Sequence, residues 1–407
     1  MNPKRKAGSP VIVLAALFVI SLFCSGCGEV FRPVANPVPL PGGDPQRVAH
    51  AIVLSANGAD PGNIINLDVS GDTNIGTIPA GRNPVHATAL LSFGQVYAAN
   101  QNDDSVTTYS SLLLSNPITT ISLPVGARPV FAASTEAAKV YIAESARARV
   151  GVIAVSLNAL STEVAVGNNP VALAETPDGK KLYCVNNADN SVTVINTTDL
   201  TVNPAPITVG SSPVWAAASS DGAWIFVVNQ GSNTVSVIST ASDTKVADIP
   251  VGAGPNFVFF DKTLKRAYVT SPAGNSLSIL DASGAAPALM ATAAVGGAPC
   301  SGAAPVSVVA IADGSRAYVA NRDSNNVCVL STLTNTFTKQ VPLGTAPVSI
   351  AAAPDGTKVY TANSGSGDVS VILTSNDTEL TKSDGITPAR IPTGATSPTF
   401  VLVNPTS

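Results

Sequence analysis

The 407-residue chain has few charged residues and almost no histidine. Charged side chains make up 12% of the sequence, against roughly 25% in an ordinary globular protein. The two histidines, His50 and His86, cannot build a multi-histidine metal centre. No phosphate-binding loop and no Gly-x-Ser-x-Gly turn stands between a strand and a helix. The sequence therefore predicts no metal and no cofactor, and it points to no catalytic residue.

An aromatic-centred segment recurs along the chain at a nearly constant spacing. The successive intervals are 44, 42, 43, 42, 50 and 42 residues. This is the period of a four-stranded propeller blade. The aromatic residues are Tyr97, Tyr141, Tyr183, Phe226, Tyr268, Tyr318 and Tyr360.

The fourth unit shows how each repeat is built from strands and turns. Residues 209–213 (Val-Gly-Ser-Ser-Pro) form a turn into a short apolar strand, because Gly accepts positive φ and Pro is tolerated at a strand start. Asp221 and Gly222 are typical of a hairpin turn before the aromatic strand, 224–229. Residues 234–238 then alternate with a period of two. Every unit predicts β-structure, and no sustained helical period follows the N-terminal segment.

These units resemble the YVTN family of β-propeller repeats, with a distant similarity to the propeller lactonases. The resemblance is carried by residues 183–186 (Tyr-Cys-Val-Asn), 318–321 (Tyr-Val-Ala-Asn) and 360–363 (Tyr-Thr-Ala-Asn), and by the Val-Gly-x-x-Pro motif that opens each unit. It covers about residues 48 to 404. The resemblance implies an all-β fold, a single propeller of four-stranded antiparallel blades, in which the motif builds the blades and carries no chemistry.

The incomplete repeats at the two ends predict how the ring closes. Residues 51–57 and 63–68 read as the later strands of a unit without its first strand, and residues 391–403 read as the missing opening. Pairing the two would remove two exposed sheet edges. Seven full units and one split unit give eight blades, with seven blades as the alternative.

The N-terminus predicts export. Lys4, Arg5 and Lys6 precede an apolar stretch of 13 residues, which is too short for a membrane-spanning helix. Residues 1–27 resemble a lipoprotein signal with Cys27 as the lipidated residue; ordinary cleavage stays open, because Cys24 stands where such signals usually have Leu. Residues 28–47 contain five prolines and predict a semi-extended tether before a propeller at 48–407. The resemblance to sorted lipoproteins implies the outer membrane, on its periplasmic or cell-surface face, because Gly28 rather than Asp follows the cysteine.

Charge and cysteine content narrow the choice of partners. Without the signal the chain has 19 basic and 26 acidic residues, a net charge of −7, with no basic stripe. Nucleic acid is therefore not an expected partner, and we expect a monomer. Cys300 lies in the stretch that lengthens the sixth unit, and it could bridge Cys328 of the same unit; two separate thiols are the alternative. Cys184 is expected in the sheet packing.

The candidate binding residues lie in loops expected at one end of the channel. These loops are rich in Asn, Asp, Ser and Gly, and a few charged residues interrupt them. His86, two residues after Pro84, is expected on an innermost strand, as a channel-lining residue. Arginines in such a rim could grip an anion or a sugar acid. The candidate rim consists of Arg82, His86, Arg128, Glu144, Arg147, Arg149, Arg322 and Asp323.

Two functions remain open. The first is a non-catalytic, lipid-anchored scaffold of the cell envelope that binds a protein or a surface polysaccharide. The second is a hydrolase similar to the propeller lactonases, which act on sugar-type lactones. Such hydrolysis needs a general base near the channel mouth. The candidates for that base are His86, Glu144, Asp103, Asp104 and Asp323.

Overall fold

The computed structural model describes residues 49–90, 94–111, 117–135, 138–394 and 397–403. Every regular element in these ranges is a β-strand. No helix long and apolar enough to cross a bilayer is found among them. The predicted signal peptide, Cys27 and the predicted tether lie outside the described residues.

Thirty-three of the strands form eight antiparallel sheets, each of which is one blade. Blades 1 to 7 follow the chain. Blade 1 comprises β4 (Pro84–Leu90), β5 (Gln95–Asn100), β6 (Ser105–Ser110) and β7 (Thr119–Ser122). Blade 2 comprises β8 (Pro129–Ala133), β9 (Lys139–Glu144), β10 (Arg149–Ala154) and β11 (Ala159–Ala165). Blade 3 comprises β12 (Pro170–Glu175), β13 (Lys181–Asn186), β14 (Ser191–Asn196) and β15 (Ile207–Thr208). Blade 4 comprises β16 (Pro213–Ala218), β17 (Trp224–Asn229), β18 (Thr234–Ser239) and β19 (Thr244–Pro250).

The remaining blades have the same order. Blade 5 comprises β20 (Phe257–Asp261), β21 (Arg266–Ser271), β22 (Ser276–Asp281) and β23 (Ala288–Ala294). A small hairpin, β24 (Gly296–Gly297) and β25 (Cys300–Ser301), precedes blade 6. Blade 6 comprises β26 (Pro305–Ala310), β27 (Arg316–Asn321), β28 (Asn326–Ser331) and β29 (Thr336–Pro342). Blade 7 comprises β30 (Pro347–Ala352), β31 (Lys358–Asn363), β32 (Asp368–Leu373), β33 (Thr378–Glu379) and β34 (Ile391–Pro392).

Both ends of the chain build the eighth blade, as the sequence predicts. This split blade takes β1 (His50–Asn57), β2 (Asp60–Asp68) and β3 (Thr73–Arg82) from the N-terminal side and β35 (Ser397–Val403) as its innermost strand. Ala51 pairs with Val403, and Ala56 pairs with Ser397. The innermost strands touch in a closed cycle: β35, β4, β8, β12, β16, β20, β26, β30 and again β35. The fold is therefore an eight-bladed propeller.

One detail of the closure differs from the sequence prediction. Residues 391–392 do not open the split blade. They form β34, which pairs with β32 at the outer edge of blade 7. The innermost strand of the split blade begins only at Ser397.

The repeating aromatic residues form the core between blades. Tyr97, Tyr183, Phe226, Tyr268 and Tyr318 are fully buried on the second strands of their blades. Apolar clusters run from one sheet into the next; for example, Tyr141 of blade 2 shares a cluster with Val185 of blade 3 and Ile225 of blade 4. Burying one such large side chain contributes about 2 kcal/mol. The repeat period thus sets the spacing of one continuous core around the ring.

A hydrogen-bonded clamp ties each of several blades to the next. In blade 3, Lys181 Nζ lies 2.8 Å from Asp243 Oδ2 of blade 4, and the Tyr183 hydroxyl donates to Asp243 Oδ1 over 2.5 Å. The same arrangement joins Arg316 and Tyr318 to Asp377, Gln95 and Tyr97 to Asn158, and Lys358 and Tyr360 to Asp72. The last of these joins blade 7 to the split blade and so closes the ring.

The longest repeat interval reflects the small hairpin before blade 6. Cys300 of this hairpin forms a disulfide with Cys328 of β28, with a Cα–Cα distance of 5.6 Å. The backbone N–H of Ser301 also donates to Gln340 Oε1 over 2.8 Å. The insertion is thereby fixed against blade 6. Cys184 is a buried free thiol, and its burial raises its pKa.

The closing clamp can be tested with Asp72→Ala. Asp72 accepts hydrogen bonds from Lys358 (2.7 Å) and Tyr360 (2.8 Å), and both charged side chains are at most 15% exposed. Removing the carboxylate leaves a mostly buried ammonium unpaired, so we expect a loss of about 2–4 kcal/mol in the free energy of unfolding, measured by denaturant titration. The control is Asp323→Ala, because Asp323 forms an exposed pair with Arg322 that should contribute less than about 1 kcal/mol. Equal losses in the two variants would contradict a closing role for Asp72.

Candidate functional site

The loop face carries the entry turns before the innermost strands and the turns between second and third strands. In blade 4, a Cβ on Gly210 of the entry turn would lie 2.7 Å from the amide of Asn229, so only glycine fits. Asn229 Nδ2 in turn donates to Thr234 (3.0 Å) and Ser236 (2.9 Å) of the neighbouring strand. Equivalent glycine–asparagine pairs are Gly81 with Asn100, Gly167 with Asn186, Gly302 with Asn321 and Gly344 with Asn363. These asparagines hold the turns together from beneath.

A second set of side chains links the entry turns of neighbouring blades. Asn190 of blade 3 accepts a hydrogen bond through Oδ1 from the Ser212 N–H of blade 4 over 2.7 Å. Corresponding acceptors are Asp104 for Arg128 (2.8 Å), Asn233 for Gly254 (2.8 Å), Asn275 for Ala304 (2.9 Å) and Asn325 for Ala346 (2.8 Å). Most of the loop-face asparagines that the sequence suggests as ligands for a partner are therefore engaged with the backbone.

Most of the predicted rim arginines form ion pairs, within their own blade or, for Arg82 of the split blade, with a carboxylate of blade 1. Arg82 bonds to Asp103 and also donates to the Asn102 carbonyl over 3.1 Å. Arg322 pairs with Asp323 at 2.7 Å, and about half of each side chain is exposed. Each pair presents both charges to solvent rather than a free cation.

Arg128 differs from these arginines. It is exposed, it occupies the position before Pro129 with a φ of 46°, and its guanidinium makes no ion pair with the part of the chain that the structure describes. The other seven residues before the equivalent prolines are uncharged: Asn83, Asn169, Ser212, Gly254, Ala304, Ala346 and Ser397. A cation therefore stands at one point of the channel rim.

Blade 2 replaces the structural asparagine with a buried glutamate. Glu144 is fully buried, and Arg147 Nη1 lies 3.2 Å from its Oε2 and 2.5 Å from Glu163 Oε1. Room for the longer side chain comes from Gly151, where a Cβ would lie 2.6 Å from Glu144 Oε1. Burial raises the pKa of Glu144 to about 7, with Glu163 adding to the rise and Arg147 opposing it. Glu144 thus lies beneath the rim rather than on it.

The remaining charged candidates lie on blades 2 and 6. Arg149 begins β10 and donates to the Ala148 carbonyl over 3.3 Å. Arg322 and Asp323 follow β27 of blade 6, across the eight-membered ring from blade 2. The candidate residues are therefore distributed among the split blade and blades 1, 2 and 6 instead of converging on one site.

His86 lies inside the channel on the innermost strand of blade 1. Its ring stacks on Phe131, with centroids 3.7 Å apart, and lies 4.4 Å from the ring of Phe400. Its Nδ1 accepts a hydrogen bond from the Ala132 N–H over 3.3 Å. Burial lowers the pKa of His86 to about 3. The ring is neutral at physiological pH, and because Nδ1 is an acceptor, Nε2 carries the proton.

The channel around His86 contains residues that sequence reasoning missed. A cavity of about 250 Å³ is lined by the innermost strands of all eight blades. Its rings are Phe131, Trp215, Phe257 and Phe400, besides His86. The signal was available in the sequence, because each of these residues stands two positions after the proline that opens its repeat.

A larger cavity, of about 550 Å³, lies at the opposite end of the innermost strands of blades 3 to 6. Two buried carboxylates belong to it, and both cap backbone turns. Glu175 accepts from the Thr135 N–H (2.7 Å), and Asp261 accepts from the N–H groups of Thr263 (2.8 Å) and Leu264 (3.3 Å). Within the described ranges no three His, Cys, Asp or Glu side chains form a metal-binding group.

The raised pKa of Glu144 predicts a pH-dependent stability. A carboxyl group whose folded pKa is about 7 stabilises the protein fully below its ordinary value near 4.5, and this contribution is lost as the pH rises to about 7. We expect Glu144→Gln to remove the loss, so that its free energy of unfolding exceeds that of the wild type more at pH 8 than at pH 5. The difference should be on the order of 2 kcal/mol. Denaturant titrations at both pH values measure it, and a constant difference would show that Glu144 does not titrate there.

Known structures confirm the propeller fold. The chain is similar to Kuenenia stuttgartiensis hydrazine synthase (22% identity, 72% of this chain and 96% of that one, TM-score 0.59). It is also similar to the dihydro-heme d1 dehydrogenase NirN in complex with DHE (14%, 86% and 74%, TM-score 0.68) and to the periplasmic gluconolactonase PpgL of Pseudomonas aeruginosa (17%, 89% and 100%, TM-score 0.59). At these identities the likeness concerns the fold alone. A search of curated proteins finds no significant match.

A family model matches the sequence directly. The model described as "Lactonase, 7-bladed beta-propeller" matches residues 147–249 and 242–393, which together are more than half of the chain. The matched region begins in the second turn of blade 2 and extends through blade 7. The protein therefore belongs to the lactonase family of seven-bladed β-propellers, from which it departs by having eight blades.

Proposed function

We propose that this protein is an exported, lipid-anchored propeller of the cell envelope that binds an envelope protein or a surface polysaccharide on its loop face, without chemical conversion. One observation carries the proposal. Most of the acidic and basic groups that the loop face could offer a substrate are engaged with other parts of the protein: Arg82 with Asp103, Arg147 with Glu144 and Glu163, and Arg322 with Asp323.

The state of His86 supports binding over catalysis. A general base needs an unprotonated nitrogen within reach of the proton it removes. Nδ1 of His86 already accepts the Ala132 N–H, and Nε2 carries the proton. With a pKa of about 3, the ring also has little proton affinity at neutral pH. His86 can donate a hydrogen bond into the channel, but it cannot take a proton from water there.

The surface chemistry of the loop face suits a polar partner. Asn, Ser and Thr side chains alternate with closely paired charges, and the turns are fixed by hydrogen bonds to the backbone. A fixed surface loses little conformational entropy when it binds. An exposed arginine that pairs with a carboxylate can pair instead with an acidic group of a protein or glycan. The cost in free energy is small, because each exposed pair contributes less than about 1 kcal/mol.

The alternative is lactone hydrolysis, which family membership favours. Its base would be Glu144, because a pKa of about 7 suits proton transfer near neutral pH. Glu144 is fully buried, and Arg147 pairs with both Glu144 and Glu163. Hydrolysis would therefore require blade 2 to open its second turn.

The two functions are distinguished by assays on the same preparations. We expect gluconolactone to hydrolyse at the spontaneous rate in the presence of the protein, unchanged by Glu144→Gln. We also expect binding to isolated cell envelopes to fall at least fivefold when Arg82 and Arg322 are both changed to Ala. The matched control is Lys180→Ala with Lys262→Ala, in turns at the opposite face. Turnover that disappears with Glu144→Gln would establish the hydrolase instead, and equal binding by both double variants would rule out capture by the loop face.

A further inference from the structure

The channel lining follows a rule that the repeat imposes. In most blades the pairing of the innermost strand shifts register between the opening proline and the residue two positions later, which is a β-bulge. Both residues after the proline consequently line the cavity, as Val85 and His86 do in blade 1. Sequence variation at these two positions alone sets the chemistry of the channel.

One side of the channel is aromatic. His86, Phe131 and Phe400 come from three consecutive blades and contact one another through His86. Trp215 lies edge-on to Phe131 with centroids 5.1 Å apart, and Phe257 lies 4.9 Å from Trp215. The intervening blade contributes Ala172 at the same position, which leaves room for the indole. Five rings thus form a nearly continuous aromatic wall.

The remaining side of the channel is small and polar. Blades 6 and 7 place Ser307 and Ser349 where five of the other six blades place rings. Ser349 Oγ accepts the Val401 N–H over 3.2 Å, which leaves its proton free to donate. The Ser307 hydroxyl has no hydrogen bond to any described residue. Asn256, by contrast, donates through Nδ2 to the Val306 carbonyl and accepts through Oδ1 from the Thr270 hydroxyl. Two uncommitted hydroxyl donors therefore face the aromatic wall.

We propose that the channel is a binding site for a small planar aromatic carboxylate, whose ring lies against Phe131 and Trp215, whose ring substituent meets Ser307 and Ser349, and whose carboxylate reaches Arg128 at the rim. The cavity of about 250 Å³ accommodates one ring with a short side chain. Arg128 lies three residues before Phe131 on the path into the same strand, so at about 3.3 Å per residue it stands roughly 10 Å above that ring. The flexible side chain of Arg128 can span this distance towards the ligand's carboxylate.

The wall favours an aromatic ligand over a sugar. A pyranose brings several hydroxyl groups into the cavity, each of which needs a partner once it leaves water. The channel offers the hydroxyls of Ser307 and Ser349 and the Nε2–H of His86. Its other surfaces are rings, valines and the side chains of Asn256 and Thr399, which already have hydrogen-bond partners. A flat ring loses little on leaving water and gains stacking on the aromatic wall. This site lies within the channel and does not depend on the loop-face partner proposed above.

Trp215 provides a direct test. The chain has two tryptophans, Trp215 and Trp224, so Trp224→Phe leaves the channel residue as the sole indole reporter. The full chain, purified in detergent, is titrated with 3-(4-hydroxyphenyl)propanoate while indole fluorescence is recorded. We expect saturable quenching that is lost in Ser307→Phe, which fills the cavity, and weakened about tenfold in Arg128→Gln. The control Lys262→Gln, in a turn at the opposite face, should bind as the parent does.

Two further ligands test which features of the probe the channel recognises. 3-Cyclohexylpropanoate has a similar size without a flat ring or hydroxyl, and it should bind at least tenfold more weakly. Glucuronate should neither quench nor compete. Far-ultraviolet circular dichroism and the unfolding midpoint verify that each variant is folded; if Ser307→Phe does not fold, Ser349→Leu takes its place. Absence of saturable quenching in a folded parent, quenching that survives the cavity-filling variant, or displacement by glucuronate would each overturn the proposal.

Discussion

The hydrogen bond from a buried strand tyrosine to a turn residue of the next blade is the contact on which the ring depends. Tyr183, Tyr318 and Tyr360 place their hydroxyls on Asp243, Asp377 and Asp72, each beside a lysine or arginine that shares the same carboxylate. Burial and the neighbouring aspartate raise the pKa of each of these tyrosines, so the hydroxyl remains a donor. The clamp thereby joins blade 3 to blade 4, blade 6 to blade 7, and blade 7 to the split blade.

The side chains of the loop face mainly hold its turns in place within the closed ring. Asparagines at the end of most second strands hold the turns, and the next set of Asx residues binds the backbone of the neighbouring blade. Blade 5 has Ser271 in place of the first asparagine, and blade 7 has Gly367 in place of the second. Blade 2 departs at both positions, with Glu144 and Ala148. Its buried carboxylate requires Gly151 and Arg147, and it gives the ring one blade whose stability depends on pH.

The sequence predicts the fold well because each repeat contains its own turns and its own buried aromatic residue. The split blade also follows from the sequence, since both incomplete units are visible. The candidate site was predicted less well. Whether an arginine is free or paired depends on contacts such as Arg147 with Glu163, 16 residues away on another strand, which the repeat pattern does not reveal. The aromatic wall was missed because it appears only when the position two residues after each proline is compared across all eight repeats.

We propose that the loop face is held rigid by side-chain caps and that it binds a partner rather than rearranging for chemistry. Amide hydrogen exchange of the full chain tests it most directly. The capped N–H groups of Gly254, Ala304 and Ala346 should exchange as slowly as those within the second strands. The N–H of Asn169 should exchange faster, because Ala148 stands where most other blades have the capping side chain. Uniformly fast exchange of all four amides would contradict a preorganised loop face.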